Sequence, residues 1–254
     1  MTHITDTQNS SKQSLTYFIA DLHLSESRSD ITACFLAFLK DTAIDAEKLY
    51  ILGDLFESWI GDDDRSPWLT ELYQALSELA KSGTELFFIH GNRDFLIGKG
   101  FAKQANISLL PEVTKIDLYH HTAVIMHGDT LCTRDVSYQQ FRKKSRTWWW
   151  QTMIKSLPLW VRKRIAQNYR KQSASATAMK AQDIMDVTPS EVQQCLQHYD
   201  CKLLIHGHTH RPKVHNITVN QQPARRIVLG DWYNQGSWLK ATPDNIELIS
   251  QPLV

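Results

Sequence analysis

Five short segments bring carboxylate, amide and imidazole side chains to the ends of apolar runs. They are Asp21-Leu22-His23, Gly53-Asp54, Gly91-Asn92-Arg93-Asp94, His127-Gly128-Asp129 and Gly207-His208-Thr209-His210. Each follows a stretch that reads as a strand, and open α/β sheets gather ligand sites at the C-terminal ends of their strands. Together they offer Asp21, His23, Asp54, Asn92, His127, His208 and His210 as metal donors. A mixed oxygen and imidazole set suits manganese, iron or zinc rather than calcium, which prefers an all-oxygen cage. These donors are too many for one four-coordinate zinc and match two ions that share a carboxylate. Asp54 is the natural bridge, because its two oxygens can reach both ions. Two ions roughly 3.5–4 Å apart lower the pKa of a shared water and clamp a phosphoryl oxygen for in-line displacement.

The stretches 15–20, 48–52, 85–90, 122–127 and 202–206 are the strands expected to feed these segments. Helices are expected over 31–41, where Ile31, Phe35, Phe38 and Leu39 share a face, and over 67–82, which Gly83 ends. Two more are expected over 95–104 and from Thr188-Pro189 to about Tyr199. Strands at 225–229, 236–239 and 246–249 follow, the last two closing a sheet edge. This alternation predicts an α/β fold, a two-sheet α/β/β/α sandwich. Its core would comprise 1–135 and 187–254, with a basic, Trp-rich helical cap inserted at 136–186.

Length and composition agree with a globular enzyme. The 254 residues are 42% hydrophobic and 22% charged, neither a disordered nor a membrane-spanning profile. No apolar run approaches the length of a transmembrane helix, and residues 1–14 lack the apolar stretch of a signal peptide. Cys34, Cys132, Cys195 and Cys201 form no C-x-x-C pair and read as reduced thiols of a cytosolic protein, Cys34 and Cys195 on helix core faces. The net charge of +1 hides an asymmetry. Residues 136–182 contain no Asp or Glu and eleven Lys or Arg, so subtracting eleven from +1 leaves −10 for the rest. The same stretch holds Trp148, Trp149, Trp150 and Trp160, half of the eight tryptophans.

The series D-x-H, G-D, G-N-[HR]-[DE], H-G and G-H-x-H resembles the calcineurin-like metallophosphoesterases. It spans Asp21 to His210. The resemblance implies that Asp21, His23 and His210 complete one ion's shell beside Asp54, while Asn92, His127 and His208 complete the other's. Many members of that family place His after the Asn, where it can protonate an alkoxide; here the residue is Arg93. Arginine does not give up its proton, but its fork can stabilise charge on a phosphoryl oxygen. Arg93 therefore favours cleavage of a phosphoanhydride, whose phosphate leaving group needs no proton. Asp54, Asn92 and Arg93 are the expected catalytic residues.

Longer matches narrow the resemblance. Asp-Leu-His-Leu-Ser at 21–25, Gly-Asp-Leu-Phe-Glu at 53–57, Gly-Asn-Arg-Asp-Phe at 91–95, His-Gly-Asp-Thr-Leu-Cys-Thr at 127–133 and His-Gly-His-Thr-His-Arg-Pro at 206–212 resemble the UDP-2,3-diacylglucosamine diphosphatases. That family serves lipid A biosynthesis in Gram-negative bacteria and uses manganese, so the resemblance implies two Mn2+ ions per chain. It implies hydrolysis of UDP-2,3-diacylglucosamine to UMP and 2,3-diacylglucosamine 1-phosphate, with water attacking the α-phosphorus. It further implies a peripheral enzyme at the cytoplasmic face of the inner membrane. The acidic remainder of the chain argues against nucleic acid as a partner, and a monomer is the expected state, which the sequence itself leaves open. Family substrate contacts map onto Asn92, Arg93, Asp135, Ser173, Lys180 and His208, and a cap position that is commonly Asn is Thr177 here. A second departure is Arg134, where the family has Asp; it could pair with Asp135. The apolar and basic residues of 136–182 would line an acyl slot or meet anionic headgroups.

Other residues carry plainer expectations. Asp62-Asp63-Asp64 reads as an exposed acidic loop, Glu57 and Trp59 as braces for the loop after Asp54, and Asp129 as an orienting partner of a ligand His. Asp231 and Trp232 have no chemistry assigned. The alternative function is another two-metal phosphoesterase, a dinucleoside polyphosphate hydrolase or a nuclease. It would share the seven donors but need no aromatic, acid-free basic stretch.

Overall fold

The computed structural model describes residues 13–179, 184 and 186–252, with residues 13 and 172–179 described as backbone only. The first sheet grows from parallel strands β1 (Gln13–Ile19), β2 (Ala46–Ile51), β3 (Glu85–Phe88) and β4 (Ser108–Leu109). Strands β10 (Gln235–Ala241) and β11 (Ile246–Pro252) add to it antiparallel, giving the order β11-β10-β1-β2-β3-β4. The second sheet comprises β5 (Val113–Leu118), β6 (His121–Met126), β7 (Leu203–His206), β8 (Lys213–Val219) and β9 (Gln222–Val228), in the order β5-β6-β7-β9-β8.

Three apolar clusters glue four layers. Phe18, Tyr50 and Leu52 of the first sheet meet Ile125, Ile205 and Ile227 of the second, forming the centre of the sandwich. Helices α1 (Ser29–Ala37), α2 (Trp68–Lys81) and α3 (Lys99–Ala105) cover the outer face of the first sheet. Their apolar spacing explains the docking: α2 buries Leu69, Leu72, Leu76 and Leu79, one stripe at helical period. Helix α7 (Pro189–Tyr199) covers the second sheet through Val192 and Leu196. Between β6 and α7 lie helices α4 (Val136–Ser145), α5 (Trp148–Lys155) and α6 (Leu159–Met179). The α/β/β/α sandwich expected from the alternation is the fold observed.

The differences from expectation have local causes. Helix α3 begins at Lys99 rather than at 95, because Asp62 captures the amides of Gly98 (3.0 Å) and Gly100 (2.9 Å) and fixes the preceding turn. The helix expected over 31–41 closes as a π-helical turn at Phe38–Thr42. Strands β4, β5 and β8 escape the sequence pattern. One is two residues long, and β5 and β8 lie at sheet edges, where alternation is blurred by exposure. The β8–β9 hairpin turns at Asn220 and Gln221, both at positive φ, without the Asn-Gly that usually marks such a turn. Cys34 and Cys195 lie half-buried on α1 and α7 against core clusters, and the four cysteines are free thiols.

Candidate metal centre

The parallel strands β1, β2, β3, β6 and β7 end at the five donor segments, and their loops converge. Main-chain hydrogen bonds lace the loops together: Asp21 N donates to Gly53 O, His23 N to Asp54 O, and Gly207 N to His127 O. Asp21, His23, Asp54, His208 and His210 all adopt left-handed backbone, with φ between +50° and +70°. Such strain in non-glycine residues costs on the order of 1–3 kcal/mol each and collects where function requires it.

Two groups of donors bring ligand atoms within 4.8 Å of one another: Asp21, His23 and His210, and Asp21, Asp54 and His127. Asp21 is common to both; Asp54 falls in the second. Asn92 Oδ1 lies 2.9 Å from both His127 Nε2 and His208 Nδ1, and those two nitrogens are 3.2 Å apart. His127 Nδ1 donates to Leu52 O at 2.8 Å, which leaves the Nε2 lone pair aimed inward. In the first group, the Nε2 atoms of His23 and His210 lie 3.4 Å apart, and His210 Nε2 is 3.4 Å from Asp21 Oδ1. Asp21 Oδ1 is buried, and the His210 contact at 3.4 Å is too long to satisfy it fully. Lone pairs converging around an under-satisfied carboxylate oxygen are what a cation resolves, so the donor set fits divalent metal. Without metal a proton takes that place. Burial disfavours a charged His210, but the hydrogen bonds it donates to the Asp21 and Asp231 carboxylates raise its pKa to about 10. Burial, helped by His127, lowers His208 to about 4.

The model of the calcineurin-like phosphoesterases matches residues 15–212. The chain belongs to that family. Relatives named UDP-2,3-diacylglucosamine hydrolase from Salmonella paratyphi B and Salmonella enteritidis PT4 are each 52% identical over 94% of this chain and 99% of their own. Among solved structures, Vps29 of Entamoeba histolytica aligns with a TM-score of 0.47 at 14% identity, covering 94% of this chain and 93% of that one. This phosphoesterase is a metal-binding hydrolase.

Beside the donors, a cavity of about 620 Å³ opens between the sandwich and helices α4–α6. Asp54, Asn92, Arg93 and His208 line its polar end, and Trp59, Phe95, Phe141, Trp150 and Ile154 its apolar end. Arg93 reaches into it from the phosphoesterase turn, donating to Glu57 at 3.3 Å with Nε 3.6 Å from Asp54. Its neighbour Asp94 is not its partner. That carboxylate is fully buried, accepts from Leu55 N and Gly91 N, and is raised to about 7 by burial and by Asp54. Asp135 lines the cavity and caps α4, accepting from Tyr138 N and Ser137 Oγ. Ser173 and Thr177 fall on the part of α6 described as backbone only, and Lys180 lies outside the described residues.

One expectation is corrected and two gain detail. Asp62, Asp63 and Asp64 form a half-buried to exposed acidic turn, as expected, but each carboxylate is engaged. Asp62 holds Trp59 and the start of α3, Asp63 pairs with the buried Arg162 of α6, and Asp64 caps Ser66. Asp129 hydrogen-bonds no histidine among the described residues. Its carboxylate takes Tyr138 Oη and Arg142 Nε, fastening α4 to the core, while the Tyr138 ring stacks 6.1 Å from His208. In the basic stretch, four arginines turn towards acids of the sandwich. Arg142, Arg146, Arg162 and Arg170 are spent on Glu112, Asp129, Asp63 and Glu57.

Two residues carry more than expected. Glu57 Oε2 lies 3.2 Å from His23 Nδ1, and its other oxygen takes Arg93 and Arg170. Asp231 Oδ2 lies 3.0 Å from His210 Nδ1. Each carboxylate orients a candidate ligand ring, a role that second-layer acids commonly fill. Glu57 closes the Gly-Asp-Leu-Phe-Glu segment and Asp231 follows a strand, but nothing in the sequence pairs either with its histidine.

Proposed function

We propose that this phosphoesterase hydrolyses the diphosphate of UDP-2,3-diacylglucosamine to UMP and 2,3-diacylglucosamine 1-phosphate. The observation that carries the reading is one cavity with two unlike ends, metal donors with Arg93 at one and aromatic and aliphatic walls at the other. A diphosphate joined to a doubly acylated sugar has that polarity. The substrate named for the 52%-identical relatives supports it.

In this reading Asp21, His23, Asp54 and His210 would hold one ion and Asp54, Asn92, His127 and His208 a second, with Asp54 between them. Oxygen and imidazole donors suit Mn2+. When bound, such ions would supply an activated water and positive charge for displacement at the α-phosphorus. Arg93 adds a fixed positive fork at the phosphoryl oxygens, held by Glu57. Asn92 and His208 face both metal and substrate, and Asp135, Ser173, Thr177 and Lys180 are proposed contacts for the sugar phosphate. The insertion at 136–186 would be the cap, its helices α4–α6 fastened by Arg142, Arg162 and Arg170. The commitment of those arginines to core acids weighs against a long polyanion, and so against a nuclease.

The cap's outer face supports a peripheral place at the cytoplasmic side of the inner membrane. Trp148 (79% exposed), Trp149, Met153 and Trp160 are exposed on these helices, as are Lys143, Lys144, Lys155 and Arg164. Tryptophan suits the headgroup boundary, and exposed cations attract anionic lipid. No helix among the described residues is long and apolar enough to cross a membrane. Trp150 belongs to the inside, packed on Phe95 and Phe141. Replacing Trp148, Trp149 and Trp160 by Ala should therefore weaken sedimentation with phosphatidylglycerol vesicles by at least about tenfold, the order expected for losing three interfacial rings, and spare manganese content. Undiminished vesicle binding would remove the membrane face.

The reaction itself is tested by incubating metal-stripped protein with UDP-2,3-diacylglucosamine, with and without manganese, and following UMP. Manganese-dependent UMP is the expected result. Turnover of bis(p-nitrophenyl) phosphate without UMP would keep the metal centre and discard the lipid nucleotide.

A further inference from the structure

A substrate with a lipid at one end carries a nucleoside at the other, and the two ends call for unlike surroundings. The slot's wall includes His208, His210 and Arg93 but not His23, Tyr233 or Arg28. These three border the donor cluster through His23, outside the slot's lining. Tyr233 is 47% exposed, and its ring centroid is 6.1 Å from that of His23. Among the described residues it is the one exposed large aromatic outside helices α4–α6. The Arg28 guanidinium sits 5.8 Å from the Tyr233 ring and donates to Tyr233 O at 2.8 Å. Asp30 grips the same guanidinium at 2.9 and 2.7 Å. On the inner side Trp232 is fully buried, edge-on to Phe35 and Phe38. The loop is thus pinned at both ends while one aromatic ring is left to solvent, beside a candidate metal ligand.

We propose that Tyr233, backed by Arg28, is a stacking platform for the base of the nucleotide substrate, one ribose away from the metal centre. A ring fixed in advance loses little freedom on binding, and every base has a π-face to lay on it. The proposal rests on the nucleotide reading above but not on the lipid.

Its test is titration calorimetry on the manganese-loaded protein with UMP and with ribose 5-phosphate, which share ribose and phosphate and differ by the base. The wild type and Tyr233→Phe should bind UMP about tenfold more tightly than ribose 5-phosphate, the order of one base-on-aromatic stack. Tyr233→Ala should bring the two ligands within about twofold by weakening UMP alone. Equal affinities in the wild type, or an undiminished preference in Tyr233→Ala, would overturn the assignment. Weakening of both ligands alike in Tyr233→Ala would also overturn it, since that marks damage at the metal centre. Failure to cleave UDP-2,3-diacylglucosamine leaves this ratio readable, so the two ideas fail separately.

Discussion

Asp54→Ala is expected to lower kcat for UMP release by about 10³-fold or more and to cut manganese content, while the protein stays folded. The side chain is 2% exposed, with Oδ1 3.7 Å from His127 Nε2 and Oδ2 3.6 Å from Arg93 Nε. It is the anion that the second donor group shares with the arginine. Losing about 4 kcal/mol of transition-state stabilisation corresponds to 10³ in rate. The effect on stability is smaller, because the losses and gains nearly offset. Alanine at φ +53° adds strain of about 1 kcal/mol, and the bond from Arg93 N to Oδ1 disappears. Against that, removing Asp54 relieves the buried Asp94 of a like charge. A melting shift of a few degrees is expected for a chain of this size. Asp54→Asn separates shape from charge, since it can keep the Arg93 amide bond and still lose the anion. Metal content measured after dialysis, with a thermal melt, reads both effects. Full activity in Asp54→Ala would remove Asp54 from the metal centre.

The donors were legible because their chemistry is local: each segment carries its own acid, amide or imidazole and ends its own apolar run. The strands behind them were legible for the same reason. What the sequence could not show is pairing at a distance. In the sequence Arg162 is one more positive charge; only the fold sets Asp63, 99 residues away, against it. Glu57 and Asp231 became partners of His23 and His210 only through the convergence of loops. The tryptophans divide by helical phase, which composition does not record: Trp150 and Ile154 share the inner face of α5, while Trp148, Trp149 and Met153 face out. Edge strands β5 and β8 escaped because exposed strands tolerate charge on both faces.

The largest effect from a residue with no chemistry of its own is expected at Gly91. A Cβ there would lie 2.1 Å from Asp54 Oδ1 and 2.3 Å from Asp54 N, and one on Gly53 would meet Gly91 N at 2.5 Å. The turns after β2 and β3 interlock at backbone distance, so neither can move alone. Asp94 ties them further, taking Gly91 N and Leu55 N on its two oxygens, and Arg146 holds Gly91 O at 2.8 Å. Gly91→Ala must therefore displace Asp54 or carry Asn92 outward with its turn. A misplacement of about 1 Å at a reacting centre costs on the order of 10²-fold, and overpacking adds about 1–3 kcal/mol of destabilisation. Gly98→Ala is the matched control: its Cβ would press on Asp62 Oδ2 at 2.8 Å, the far end of a side chain outside the donor set. It should lower the melting temperature and leave kcat within about twofold. If Gly91→Ala instead turns over like the wild type, the interlocked turns do not set Asp54's position. The left-handed backbone of Asp54 and its neighbours would then have to hold the donors unaided.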